Sequence, residues 1–138
     1  MTVRMGLIEI VVADMAASLA FYRRLGLEIA EGVEGEPHVE AELSGGLRIA
    51  WDTQETIRSF DPQWTVPGRG GHGMALAFAC DGPAFACDGP AEVDAVFAEL
   101  TGAGYEGHLK PFDAVWGMRY ATVRDPDGNA VDLYAPLS

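Results

Sequence analysis

The sequence predicts an α+β fold assembled from two βαβββ modules, and three observations carry that prediction. A β-rich run followed by a capped, apolar-striped helix occurs over residues 5–25 and again over 74–104. Residues 38–51 alternate polar and apolar on either side of Ser44-Gly45-Gly46, the period of half-buried strands joined by a turn. Residues 116–134 read as strand, tight turn, strand, with β-branched and aromatic residues flanking turn formers.

Taken in order, Met5 to Ala13 lacks a helical period and is rich in Ile and Val, so it is read as a strand with one well-buried face. Asp14 caps a helix over 15–24, because its carboxylate can accept from an unpaired first-turn N–H. Leu19, Tyr22 and Leu25 give that helix its apolar stripe, and Gly26 ends it. Leu27–Ala30 is expected to resume as a strand, followed by His38–Leu43, the Ser-Gly-Gly turn and Leu47–Trp51. Residues 53–71 hold Pro62, Pro67, several glycines and a lone Trp64, and read as a linker. It separates module one (1–52) from module two (72–138) within a single domain.

Module two opens with a strand over 74–80. Pro90 suits the first position of a helix over 91–100, where a missing N–H costs nothing, and Gly102 and Gly104 close it. A short strand near 107–109 leads to the C-terminal hairpin, whose turn combines Pro126 with Asp125, Asp127, Gly128 and Asn129. Asp132, four residues past Gly128, lies on one face of the last strand and can point into whatever the sheet encloses. Residues 77–83 recur residue for residue as 84–90. A repeat this short is no solenoid unit, and an extended loop or extra edge turn is expected there.

The 138 residues carry a formal net charge of −12, which repels nucleic acid and anionic membrane surfaces alike. Neutral or cationic small molecules are the expected partners. With 49% hydrophobic and 22% charged residues, the composition is that of an ordinary globular protein. No apolar run reaches transmembrane length and the N-terminus lacks the pattern of a signal peptide, so a cytoplasmic location is expected. Cys80 and Cys87 have no zinc-type spacing and are read as free buried thiols.

The paired modules, the run Asp14-Met15-Ala16-Ala17-Ser18-Leu19-Ala20-Phe21-Tyr22 with Leu25-Gly26, and Arg119-Tyr120-Ala121-Thr122-Val123-Arg124-Asp125-Pro126-Asp127-Gly128-Asn129 followed by Asp132-Leu133 resemble the vicinal oxygen chelate superfamily. That superfamily includes glyoxalase I, extradiol dioxygenases, fosfomycin-resistance transferases and bleomycin-resistance binding proteins. The resemblance covers nearly the whole chain. It implies two modules whose sheets curl into a cup, commonly completed by a homodimer. In enzymatic members it also implies a divalent metal held by the first and last strands of each module. The matching places here are Leu7, Ile49, Met74 and Asp132, of which only Asp132 is a donor. One carboxylate cannot repay a divalent cation's lost hydration, so no cofactor is expected, as in metal-free bleomycin-resistance-like members. A shift of two residues on the strands would instead offer His72, Glu9 and Asp132 as ligands of a divalent metal, for a lyase, isomerase or dioxygenase.

Alternation places Leu7, Glu9 and Val11, Leu47, Ile49 and Trp51, Met74, Leu76 and Phe78, and Asp132 with Tyr134 on the inward faces. Such a lining suits a flat, partly cationic ligand such as an antibiotic: Trp51, Trp64 or Trp116 would stack on it, and Glu9 or Asp132 would pair with its charge. Tyr120 and Thr122 are expected to face the same way, with Tyr120 a hydrogen-bond donor, and Arg119 to pair with an acid near a strand end. No tuned neighbour marks a general acid or base. The expected function is therefore small-molecule binding by Leu7, Glu9, Ile49, Trp51, Met74, Phe78, Trp116, Tyr120 and Asp132, with catalysis unassigned.

Overall fold

The computed structural model describes residues 2, 4–67, 74–80 and 89–137. The chain is α+β and divides into two compact units, Met1–Val66 and Pro67–Ser138. The first contains β1 (Leu7–Val12), α1 (Met15–Leu25), β2 (His38–Glu42), β3 (Arg48–Thr53) and α2 (Gln54–Phe60). The second contains β4 (Ala75–Ala79), α3 (Gly89–Gly102), β5 (Gly107–Asp113), β6 (Met118–Arg124) and β7 (Ala130–Pro136). Among the described residues no helix is long and apolar enough to cross a membrane.

In the first unit the strand order is β1-β3-β2, with β1 parallel and β2 antiparallel to the central β3. The register pairs Ile8 with Ile49 and Ile10 with Trp51, and Val39 with Trp51. Strand alternation then puts these apolar residues on one face. That face is the core: Ile49 and Trp51 are fully buried, as are Leu19, Phe21 and Tyr22 of α1. The Tyr22 ring lies 5.5 Å from that of Trp51 and 4.9 Å from that of Phe21. Each large side chain taken fully out of water contributes about 1.5–3 kcal/mol. Helix α1 has the expected ends. Asp14 Oδ1 accepts from Ala17 N at 3.0 Å, and Gly26 adopts φ 116° where the chain leaves the helix, a conformation costly for any residue with a Cβ.

The predicted strand over Leu27–Ala30 does not form. Instead Arg23 reaches across this segment, donating to the Ala30 carbonyl and pairing with Glu34 at 2.6 Å, and turns follow at 31–35. Within the stretch read as linker, Thr53 Oγ1 accepts from Thr56 N at 3.1 Å and caps α2. A seven-residue helix is too short to announce itself by periodicity.

The second unit repeats the parallel pairing of first and last strands, in the order β4-β7-β6-β5. Helix α3 packs against β7, β6 and β5, with Val93 and Leu100 buried together with Val131, Leu133, Ala135, Ala121 and Val123. Asp125 holds the β6–β7 turn: its Oδ1 accepts from Asp127 N at 2.9 Å and Asn129 N at 2.8 Å, and its Oδ2 from Asn129 Nδ2 at 2.7 Å. Strand β5 runs to Asp113, past the predicted end, with two irregularities in its pairing to β6. The first copy of the heptapeptide begins inside β4 and the second ends in the first turn of α3. Residues 81–88 between them, including Cys87, lie outside the described residues. Cys80 is buried.

Candidate functional site

Away from α3, the second unit's sheet presents a face with its own chemistry. The register pairs Ala77 with Asp132, Thr122 with Asp132, and Tyr120 with Tyr134, so these side chains share one side. Asp132 is the centre of a hydrogen-bonded set. Tyr120 Oη donates to its Oδ2 at 2.5 Å and Thr122 Oγ1 to its Oδ1 at 2.8 Å. Burial, and then the Asp132 carboxylate, push the Tyr120 hydroxyl up to about 12. At neutral pH that hydroxyl keeps its proton and is a donor, unsuited to act as a base. On the other side of Asp132, β4 offers Ala75, Ala77 and Ala79, which leave the face open.

Beside this carboxylate stands an aromatic cluster. The turn after β5 is closed by Gly117 N donating to the Ala114 carbonyl at 3.0 Å, with Gly117 at φ 85°. It delivers Trp116 onto the sheet. The Trp116 and Tyr120 ring centroids are 5.4 Å apart, those of Phe112 and Tyr120 6.1 Å, and those of Phe112 and Trp116 6.3 Å, all edge-to-face. Trp116 is 59% exposed, a large aromatic surface kept in water although partners for a core are near. Arg119, on the helix side, donates to Asp94 at 2.9 and 3.1 Å and to Asp113 at 2.9 Å. It ties β6 to α3 and supplies no charge to the open face.

The outer face of the first unit's sheet carries a chain of charged groups. His38 Nδ1 donates to Asp52 Oδ1 at 2.5 Å and its Nε2 to Glu40 Oε2 at 2.7 Å, while Arg48 Nε donates to Glu40 Oε1 at 2.7 Å. A neutral imidazole has one N–H, so engaging both nitrogens with carboxylates requires the imidazolium. Glu40 and then Asp52 raise the His38 pKa accordingly. A raised folded-state pKa gives stability that is complete below about pH 6.5 and fades as pH rises through the folded value. His38→Gln should therefore cost roughly 0.5 kcal/mol in mild acid, a figure reduced because the pair is partly solvated, and less at alkaline pH. Urea denaturation at both pH values measures it; an equal cost at both refutes the assignment.

The structure brings together Trp116, Tyr120 and Asp132 of the predicted site on one sheet face. Ile49 and Trp51 lie on the face opposite Glu9, packed with α1, because β1 and β3 pair Ile8 with Ile49 and Glu9 with Ala50. Leu76 and Phe78 pair with Val131 and Leu133 on the core side, so β4 shows alanines where Leu76 and Phe78 were expected. Met74 precedes β4 and is 76% exposed. Leu7 and Glu9 lie on the face of β1 away from Ile8 and Ile10, not with Ile49 and Trp51 as expected. Phe112 was missed because β5 was read as ending near 109. His38 and Asp52 were missed although counting outward from the Ser-Gly-Gly turn pairs them.

A divalent metal needs several converging donors. Both Asp132 oxygens already accept hydroxyl hydrogen bonds, and the neighbouring β4 positions are alanines. Leu7, Met74 and the buried Ile49 offer no oxygen or nitrogen side-chain donor. Among the described residues no group of three or more His, Cys, Asp or Glu is arranged to hold a metal ion. The described donors do not fit the metal that the resemblance implies; His72 lies outside the described residues.

Comparison with solved structures finds the same fold repeatedly. A glyoxalase-related enzyme from Fulvimarina pelagi is 21% identical, with 96% of this chain and 87% of that one covered at a TM-score of 0.75. A glyoxalase/bleomycin resistance protein/dioxygenase family enzyme from Burkholderia phytofirmans PsJN is 18% identical, with 96% and 98% covered at 0.74. TioX from Micromonospora sp. ML1 is 20% identical, with 97% and 99% covered at 0.63. Likeness at these identities is likeness of fold. Comparison with curated proteins finds no match. The family profile of the glyoxalase/bleomycin resistance protein/dioxygenase superfamily matches residues 4–133. With two units that each pair their first and last strands in parallel, this chain belongs to that superfamily.

Proposed function

We propose that the protein binds a flat, cationic aromatic small molecule, of the kind represented by aromatic antibiotics, without a metal. The observation that carries this reading is the cluster of exposed Trp116 and Phe112 with half-buried Tyr120, set beside the Asp132 carboxylate on one sheet face. An aromatic ligand stacks on such a wall and its charge pairs with the carboxylate, while Tyr120 and Thr122 hold that carboxylate in place. Ala75, Ala77 and Ala79 leave the space a planar ring system needs. The reaction roles open to this face are few, because its one phenol is held protonated and its one carboxylate is already hydrogen-bonded.

Titration of tryptophan fluorescence with a panel of cationic aromatic compounds tests the reading. Micromolar affinity for at least one is expected, and Trp116→Leu should weaken it by about 1 kcal/mol, roughly fivefold. Failure of the whole panel overturns the reading. So does about one equivalent of transition metal in the purified protein that is lost in Asp132→Ala, which would establish a metal-dependent site involving Asp132.

A further inference from the structure

Glu9 projects from β1 and Asp52 from β3 on the same outer face of the first unit, Asp52 standing opposite Val11 and Glu9 opposite Ala50. Asp52 is 2% exposed. Its Oδ1 is taken by His38, but its Oδ2 accepts no hydrogen bond from any protein donor among the described residues. An unpaired buried acceptor costs about 1–3 kcal/mol, and more when charged, so an orphan of this kind calls for an occupant. The group beside it is a second carboxyl. The Asp52 side chain, then burial and the Asp52 charge, raise the pKa of Glu9.

The nearby cations are committed elsewhere. His38 uses both nitrogens on Asp52 Oδ1 and Glu40, and Arg48 pairs with Glu40 and Glu42. Opposite Glu9, Ala50 is buried and contributes only a methyl group, and Glu9 is the exposed member of the pair. We propose that the Glu9–Asp52 pair is a binding subsite for a cationic nitrogen, the ammonium or guanidinium group of a small molecule. Its N–H groups donate to Asp52 Oδ2 and to Glu9, and its charge balances the paired carboxylates. A divalent metal is not suited, since two carboxylates fall short of the roughly four to eight donors such ions take. The net charge of −12 raises the local concentration of cations around the chain. The subsite lies wholly in the first unit and stands independently of ligand binding beside Asp132.

The test follows the side-chain carboxyl carbons of Glu9 and Asp52 and the His38 ring by NMR in the full-length protein at neutral pH. The probes are methylguanidinium and methylammonium chloride, with urea as the neutral planar counterpart and sodium chloride at equal ionic strength as the control. A saturable shift with the two cations and none with urea or sodium chloride is expected. Affinity should fall at least about tenfold in Glu9→Gln and in Asp52→Asn, the loss of one charge-assisted hydrogen bond, and stay unchanged in Glu55→Gln. No saturable shift, an equal response to urea or salt, or full affinity in Glu9→Gln overturns the proposal. Should Asp52→Asn fail to fold, Glu9→Gln and the urea comparison in the unaltered protein decide it.

Discussion

Trp51→Ala should destabilise the protein by about 3–5 kcal/mol, the range for emptying a large aromatic from a core that relaxes only in part. Trp51 has no exposed surface and packs its ring 5.5 Å from that of Tyr22, within a layer that also holds Ile49, Leu19 and Phe21. Its indole Nε1–H has no acceptor among the described residues, so Trp51→Phe removes ring area and an unsatisfied donor together and should cost far less, about 1 kcal/mol. Urea denaturation measures both, read as a shift in midpoint at constant slope. A small loss in Trp51→Ala would mean that the ring is a dispensable surface, as a ligand platform would be, and not part of the core.

Trp51 also marks where sequence pattern stops being informative. Ile49, Ala50 and Trp51 are all buried, so alternation cannot say which of two occupied faces belongs to the helix; only the pairing of Ile10 with Trp51 does. Leu76 and Phe78 misled in the same way, since alanines are as compatible with an open face as with a filled one. Segments with local chemistry were readable: Asp14 and Gly26 bound α1, and the Asp125 to Asn129 turn set the hairpin register that brings Thr122 and Tyr120 to Asp132. The tertiary reach of Arg23 to Ala30 and Glu34, which replaces a strand over 27–30, has no local signature. The His38–Asp52 pair did have one. The short turn at 44–46 fixes Glu42 opposite Arg48 and hence His38 opposite Asp52, so register counting from a turn finds cross-strand pairs that periodicity alone overlooks.

Asp132 separates the structural and binding roles of the second face, because its charge and its acceptor oxygens can be removed one at a time. Asp132→Ala leaves the Tyr120 and Thr122 hydroxyls without their acceptor, and hydrogen bonds to a charged group are worth about 1.5–3 kcal/mol each. A stability loss of about 2–4 kcal/mol is expected, together with loss of affinity for any cationic aromatic ligand. Asp132→Asn keeps one carbonyl acceptor and removes the charge; it should fold nearly as well yet bind such a ligand at least about thirtyfold more weakly, some 2 kcal/mol. Tyr120 supplies an internal check. Its hydroxyl is pushed up to about 12 by burial first and by Asp132 second, so in Asp132→Asn an ultraviolet titration should find it lowered but still above the ordinary tyrosine value. The sign for stability follows: a raised folded-state pKa protects the fold below about pH 10 and the protection is lost as pH climbs toward the folded value, a loss that should shrink in the Asn variant. If Asp132→Asn binds cationic and neutral aromatics as the unaltered protein does, the carboxylate serves the sheet alone and the ligand is recognised elsewhere.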